Sequence, residues 1–366
     1  MVSPNATPTP PTPTVPATPT HAGIDTEQDF AYGFNVAWRG DDQGGPYNER
    51  AAELVQEAGF NWVRVQIEWK ALEREPGQWD YRPVDRLVAA YAARGIKILG
   101  SIVEPPSWAR DPTGEELLAD YQTFEEAMRR LAGRYRGRIH AWEIWNEQNL
   151  SYAYGGEVKF GPYCRLLEAG YNGVKAVDPD IFVLFGGLTP TGVNDPAIAI
   201  DDVLYLEQFY ALEDGKCARF FDVLGVHANA THNPPDTMWP DKPGPGPGWR
   251  DHPSFYFRRV EQLRAVMEAH GDERPVWITE FGWTTANPAP GYEYGAQVNE
   301  AQQAAYLVRA FEIARTEWPW VTGMFVWNLN FSTLVGPEDE KGPWAVLYPD
   351  WSPRPAYEAL RRMPKR

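Results

Sequence analysis

The sequence predicts an α/β chain folded as one (β/α)8 barrel, with long loops on the face where the strands end. Three observations lead there. Eight short apolar, aromatic-rich runs alternate from residue 30 onward with eight longer segments of helical period. The runs are continuously apolar, as parallel strands covered on both faces must be. Eight strand-helix units in about 330 residues match a closed barrel, in which each parallel strand needs a crossover helix.

Taken in order, the first run, 31–36, is followed by a helical stretch at 48–58, and the second, 61–68, by one at 83–94. The third and fourth runs, 96–103 and 140–146, precede stretches at 123–136 and 162–176. The fifth and sixth, 181–187 and 221–228, precede 201–212 and 255–270. The seventh, 275–281, leads to 298–317, and the eighth, 321–329, to a last stretch at 354–362. The alternative, an open doubly wound sheet, predicts a phosphate-cradling glycine turn after an early strand. The one dense glycine run, Gly244 to Gly248, alternates with proline and lacks the Lys-Ser/Thr of a phosphate loop.

Composition narrows the partners. With 34 Lys+Arg against 50 Asp+Glu the net charge is -16, which repels nucleic acid and anionic membranes and suits neutral ligands. No stretch approaches the ~20 apolar residues that span a bilayer, so membrane insertion is not expected. Residues 4–20 hold seven Pro and six Thr, a composition that cannot bury apolar surface. Residues 1–22 are therefore expected to be a disordered linker before a barrel domain at 23–366, placing an exported protein at a surface or beside another module. Two cysteines, Cys164 and Cys217, lack metal or redox spacing. Neither a metal nor a cofactor is expected, and the pair is left open between buried thiols and a disulfide.

Chemistry concentrates in two motifs. Glu147 lies in Trp-Asn-Glu-Gln-Asn (145–149) and Glu280 in Ile-Thr-Glu-Phe-Gly-Trp (278–283), each closing a strand-like run. Two carboxylates at strand ends on one barrel face suit acid-assisted cleavage of a glycosidic bond, one protonated and one ionised. Strand position alone leaves their separation open, and with it retention or inversion. Arg64 interrupts the apolar run Trp-Val-Arg-Val-Gln-Ile-Glu-Trp, and a buried guanidinium should face a carboxylate. His227 closes Phe-Asp-Val-Leu-Gly-Val-His and is open between a sugar contact and a satisfied core histidine.

The loops after strands six to eight carry Trp239, Trp249, Trp283, Tyr292, Tyr294, Trp344 and Tyr348. Such rings either stack on the apolar faces of sugars or pack the loops onto the barrel. Trp327 and Asn328 close the eighth run, while Trp38, Glu104 and Trp108 follow the first and third. All are candidates for the same cleft.

The two glutamate motifs, with Arg64 late in the second strand, resemble clan A of the glycoside hydrolases, the retaining (β/α)8 glycosidases, and most resemble family 39 or the related family 5. The resemblance implies Glu147 as acid/base, Glu280 as nucleophile and Asn146 as partner of the sugar 2-hydroxyl. It also implies Glu280 as the partner of Arg64 and Trp327 as the floor of the central subsite. Two positions depart from it: Asn229 stands where a Tyr is common, and Gln148 where a Pro often follows the acid/base. The expected activity is retaining, endo-acting hydrolysis of a β-linked polysaccharide or oligosaccharide. The alternatives are an exo-acting β-xylosidase, a carbohydrate-binding barrel without turnover, and a surface scaffold.

Overall fold

All eight apolar runs form strands, and the helical segments between them return the chain so that every strand runs parallel to its neighbours. The computed structural model describes residues 30–365. The expected linker at 1–22 and the domain boundary after it lie outside the described residues. The strands are β1 (Ala31–Asn35), β2 (Trp62–Glu68), β3 (Lys97–Val103), β4 (Ala141–Ile144), β5 (Phe182–Leu188), β6 (Val223–Asn229), β7 (Val276–Gly282) and β8 (Val321–Val326). Each pairs with its sequence neighbours, and β8 pairs with β1 from Ala31–Gly323 to Phe34–Val326. That last pairing closes the barrel and excludes the open sheet.

Among the described residues, the α-helices of eight residues or more cover the outside: α1 (Gly44–Glu57), α2 (Arg82–Ala92), α3 (Tyr121–Arg134), α4 (Phe160–Lys175), α5 (Asp202–Ala211), α6 (Val260–Ala269), α7 (Glu300–Glu317) and α8 (Pro355–Arg362). Local chemistry starts some of them. Asp120 accepts from Gln122 N at 2.8 Å to cap α3, and Asn299 and Gln302 form a reciprocal capping box on α7. Along α3 the buried residues Phe124, Ala127, Met128 and Leu131 recur at helical spacing, so one stripe faces the strands.

Inside the barrel, Ala31, Trp62, Leu99, Ala141, Phe182, Leu184, Val223, Trp277 and Phe325 form a separate apolar plug near the strand starts. Gly33 makes room for it: a Cβ there would stand 2.1 Å from the Phe325 ring. The end opposite the plug is left for polar side chains.

Two strands end two or more residues before the expected point. β4 stops at Ile144 because Trp145 turns into the left-handed region at φ 74°. β8 stops at Val326, beyond which Leu329 N donates to Asn35 O at 2.9 Å and Val346 N to Asn328 O at 2.9 Å. After β5 the chain makes a small hairpin, Asn194–Asp195 with Ala199–Ile200, that the apolar pattern did not foretell.

Cys164 on α4 and Cys217 beyond α5 are bonded, with Cα atoms 5.4 Å apart. The bond closes a loop across 53 residues of sequence. Replacing both cysteines by Ala is expected to lower the unfolding free energy by about 2–4 kcal/mol. A denaturant midpoint equal to that of the native protein would show that the bond contributes nothing.

Candidate active site

Side chains two apart on a strand share a face, so each inward column climbs from the apolar plug to the open end. On β2 the column is Trp62, Arg64, Gln66; on β4 it is Ala141, Glu143; on β6 it is Val223, Gly225, His227, Asn229. Charge therefore begins one step above the plug. Glu280 breaks the count. Its neighbours on both sides pair as if β7 held one extra residue, since Val226 and His227 face Ile278 and Glu280, while Met324 and Val326 face Ile278 and Phe281. This bulge brings two successive residues inward. Thr279 Oγ1 reaches Val226 O at 3.4 Å, and Glu280 meets Arg64.

Arg64 is 1% exposed and makes four hydrogen bonds. Nη1 donates to Glu280 Oε1 at 2.6 Å and to Asn35 Oδ1 at 2.9 Å, Nε to Glu143 Oε2 at 2.6 Å, and Nη2 to Asn146 Oδ1 at 2.6 Å. The buried guanidinium thus has two carboxylates. One is the Glu280 that the resemblance implies; the other, Glu143, went unread in the sequence, although a charge inside Ala-Trp-Glu-Ile is the same signal that marked Arg64. Glu143 is completed by Gly187 N, which donates to its Oε1 at 3.1 Å.

Glu147 sits at φ 52°, two residues after the left-handed Trp145. Its N–H donates to Gly187 O at 2.9 Å, which fixes this strained turn against β5. His227 Nδ1 lies 3.0 Å from Glu147 Oε1, and its Nε2 lies 3.6 Å from Glu280 Oε1. Tyr152 donates its hydroxyl to Glu147 Oε2 at 3.1 Å. Glycine is required at 187, where a Cβ would stand 2.4 Å from the His227 ring.

Burial pushes the Glu147 carboxyl up, but the hydrogen bond and charge of His227 outweigh it and hold it below the ordinary carboxylate range. Burial would push His227 down, yet the charge of Glu280 and its contact with Glu147 hold it above the ordinary imidazole value. Glu280 stays above the carboxylate range through burial, which the charges of His227 and Arg64 only partly offset. These directions favour imidazolium facing carboxylate across the His227–Glu147 hydrogen bond. Imidazolium with carboxylate, and imidazole with carboxylic acid, differ only by a shift along that bond, so the three groups titrate as a unit.

Glu147, His227 and Glu280 each offer one donor atom within 4.8 Å of the others, making them the one group of at least three His, Cys or acidic residues among the described residues that could share a cation. Arg64 already places a positive charge on Glu280 Oε1. The set therefore suits proton transfer better than a metal.

Above these groups opens a cleft of about 800 Å³, lined by both glutamates, Asn146, Asn229, Trp249, Tyr292, Tyr294, Trp327, Trp344 and Glu104. A pocket of about 250 Å³ on the Arg64 side holds Trp38 and Phe331 and shares Gln66, Trp327 and Lys341 with the larger one. Besides His227, whose contacts with both glutamates are given above, five predicted residues line neither. Trp283 is fully buried and donates Nε1 to Asn233 O at 2.9 Å, so it packs loop six onto the barrel. Asn328 is buried, giving Nδ2 to Lys341 O and accepting from Phe331 N, both at 3.0 Å; it anchors loop eight. Trp239 is half-buried in loop six, away from the cleft wall. Trp108 packs on Trp69, and Tyr348 bonds Glu300. Besides Glu143, the sequence reading passed over Asn35, Tyr152, Thr189 and Glu340, all of which touch the site or line it. For Glu340 and Tyr152 no strand count could have signalled this, because both lie outside the strands.

Residues 24–209, just over half of the chain, match the cellulase family, glycosyl hydrolase family 5. The chain belongs to glycosyl hydrolase family 5. This family 5 chain is 22% identical over 313 residues to an endo-1,4-beta-xylanase/feruloyl esterase of Xylanibacter ruminicola, covering 77% of this chain and 39% of that protein. It is 28% identical over 86 residues to a beta-1,4-xylanase of Dictyoglomus thermophilum, covering 22% of this chain and 24% of the other. The chain thus spans well under half the length of these curated relatives. Among solved structures, a family 39 glycoside hydrolase from Bacteroides cellulosilyticus WH2 superposes with a TM-score of 0.64 at 22% identity, over 92% of this chain and 64% of that one. Xylanase 10B of Thermotoga petrophila RKU-1, solved with xylobiose, gives 0.61 at 17% identity, over 92% and 94%. At these identities the likeness is one of fold.

Proposed function

We propose that this family 5 chain is a retaining O-glycosyl hydrolase that cuts β-linked polysaccharide, with xylan as the first substrate to try. One observation carries the reading: carboxylate oxygens of Glu147 and Glu280 lie within 4.8 Å of each other at the floor of a sugar-sized cleft. That closeness favours a double displacement, for which the carboxyl groups stand ~5–5.5 Å apart, over the ~6.5–9.5 Å arrangement that admits a water. Glu280 attacks the anomeric carbon and forms a glycosyl ester while Glu147 gives its proton to the departing oxygen. Glu147 then takes a proton from water, whose oxygen displaces Glu280 with a second inversion.

The His227–Glu147 bond supports the acid role, because the proton it holds can pass to Glu147 and from there to the departing oxygen. Arg64 supports the nucleophile role by favouring the ionised form of Glu280 against burial. Asn146, held by Arg64, is offered to the sugar 2-hydroxyl. Xylan is suggested by the xylanases among the relatives. Endo action is supported by the cleft continuing into the pocket on the Arg64 side, which leaves room for sugars on both sides of the cut. The Cys164–Cys217 bond favours an oxidising compartment and so an exported protein.

The test is hydrolysis of defined polysaccharides, with the first-formed anomer followed by proton NMR. Retention with a rapid fall in viscosity is expected. An inverted product would remove the double displacement, and release of one small sugar at constant viscosity would establish the exo-acting β-xylosidase reading. Sugar binding without turnover by the native protein would establish the non-catalytic barrel. Within the same assay, Glu147→Ala is expected to lower kcat/KM on xylan by about 10³-fold while sparing substrates with very acidic leaving groups, which need little protonation. Equal losses on both would take the acid role from Glu147.

A further inference from the structure

Large apolar side chains are rarely left in water on this molecule. Among the described residues four stand out, Tyr152, Val193, Ile198 and Leu334. Three of them sit on two segments that are stitched together beside Glu147. Ser151 N donates to Ile198 O at 3.0 Å, Ile200 N donates to Asn149 O at 2.8 Å, and Leu150 bridges Ala199. Asn149 Nδ2 ties both segments down, donating to Thr189 O and Ile200 O at 2.9 Å each. The hairpin after β5 and the turn that follows Glu147 therefore form one rigid lip, with Tyr152 78% and Ile198 60% exposed.

Scattered exposed apolar residues need no explanation in themselves. Tyr152 differs because its ring lies open to solvent while its hydroxyl bonds Glu147 Oε2 at 3.1 Å. An exposed ring tethered to the proton donor borders the place where the departing oxygen must arrive. Leu150, Thr189 and Pro190 continue the cleft wall along the same lip.

We propose that Tyr152 and Ile198 form a subsite for the leaving-group side of a β-linked sugar chain, with Tyr152 also acting as a positioning residue on Glu147. The sugar's apolar CH face seats on the Tyr152 ring and extends over Ile198. As it seats, its glycosidic oxygen takes the place of the tyrosine hydroxyl at Glu147, so an occupied subsite frees the acid to donate. No bond beyond those of the hydrolysis is made or broken. This inference rests on the hydrolase reading above.

The experiment compares xylo-oligosaccharides, which fill such a subsite, with β-xylobiosyl fluoride, whose leaving group is a single ion. For Tyr152→Ala the ratio of kcat/KM on the oligosaccharide to that on the fluoride is expected to fall about five- to tenfold, carried mainly by KM. For Ile198→Ser the fall is expected to be about twofold. A ratio unchanged in both variants overturns the subsite. Tyr152→Phe keeps the ring and removes the donor that favours ionised Glu147. It should raise the pKa of the acid and move the basic limb of the oligosaccharide pH profile upward by about 0.5. An unmoved limb overturns the positioning role. Failure of the native protein to turn over either substrate would instead strike the hydrolase reading, so the two failures are distinct.

Discussion

Glu280→Gln is expected to lower kcat on xylan by about 10⁴-fold or more while leaving oligosaccharide affinity within a few-fold of the native value. Glutamine has the same shape and still accepts from Arg64 Nη1 through its amide oxygen, so the floor of the cleft should keep its form. What it lacks is a carboxylate able to form the glycosyl ester. Arg64 remains paired with Glu143 at 2.6 Å, which keeps its guanidinium from being stranded. Steady-state kinetics with calorimetric titration of the variant separates the two effects. Near-native turnover on a natural polysaccharide would remove Glu280 as nucleophile; loss of binding as well would mean that the charge helps to seat the sugar.

Arg64→Met is expected to cost about 3–5 kcal/mol of stability, because it leaves Glu143 and Glu280 as buried charges without their common cation. The side chains of Arg64 and Glu143 are both wholly buried. No water reaches them to compensate. Denaturant unfolding measures the loss, and adding Glu143→Gln to Arg64→Met should recover part of it. A single variant within about 1 kcal/mol of the native protein would show that the two acids hold protons instead of charge. In the fraction that folds, loss of Arg64 raises the pKa of Glu280 further. Since the nucleophile must be ionised, activity on the acid side falls away at higher pH, and the acid limb of the profile moves upward.

The strands were legible because each is an apolar run buried on both faces, a property of composition along the chain. Where they stop was less so. The end of β4 is set by left-handed turns at Trp145 and Glu147, held by a bond from Glu147 N to Gly187 O that no local pattern contains. The two glutamates and Arg64 were legible from chemistry, since charge in an apolar run demands a partner; that rule also applies to Glu143. The tryptophans of the long loops were not separable by sequence. Trp249 and Trp344 line the cleft while Trp283 is buried beneath loop six, and which occurs depends on how 20-odd loop residues fold back. The spacing of Cys164 and Cys217 likewise said nothing of their 5.4 Å approach.

The bulge in β7 means that the face on which Glu280 stands is decided by a count and not by the side chain. Trp277 and Glu280 are three apart, so strict alternation would send the glutamate into the helical layer, where Ile278 and Phe281 already pack. Substitutions along 276–282 leave that count untouched. Gaining one residue between Trp277 and Glu280 while the bulge persists would change it, turning the carboxylate from the sugar toward α6 and α7 while each flanking residue kept its identity. This strand should therefore tolerate changes of letter far better than changes of length.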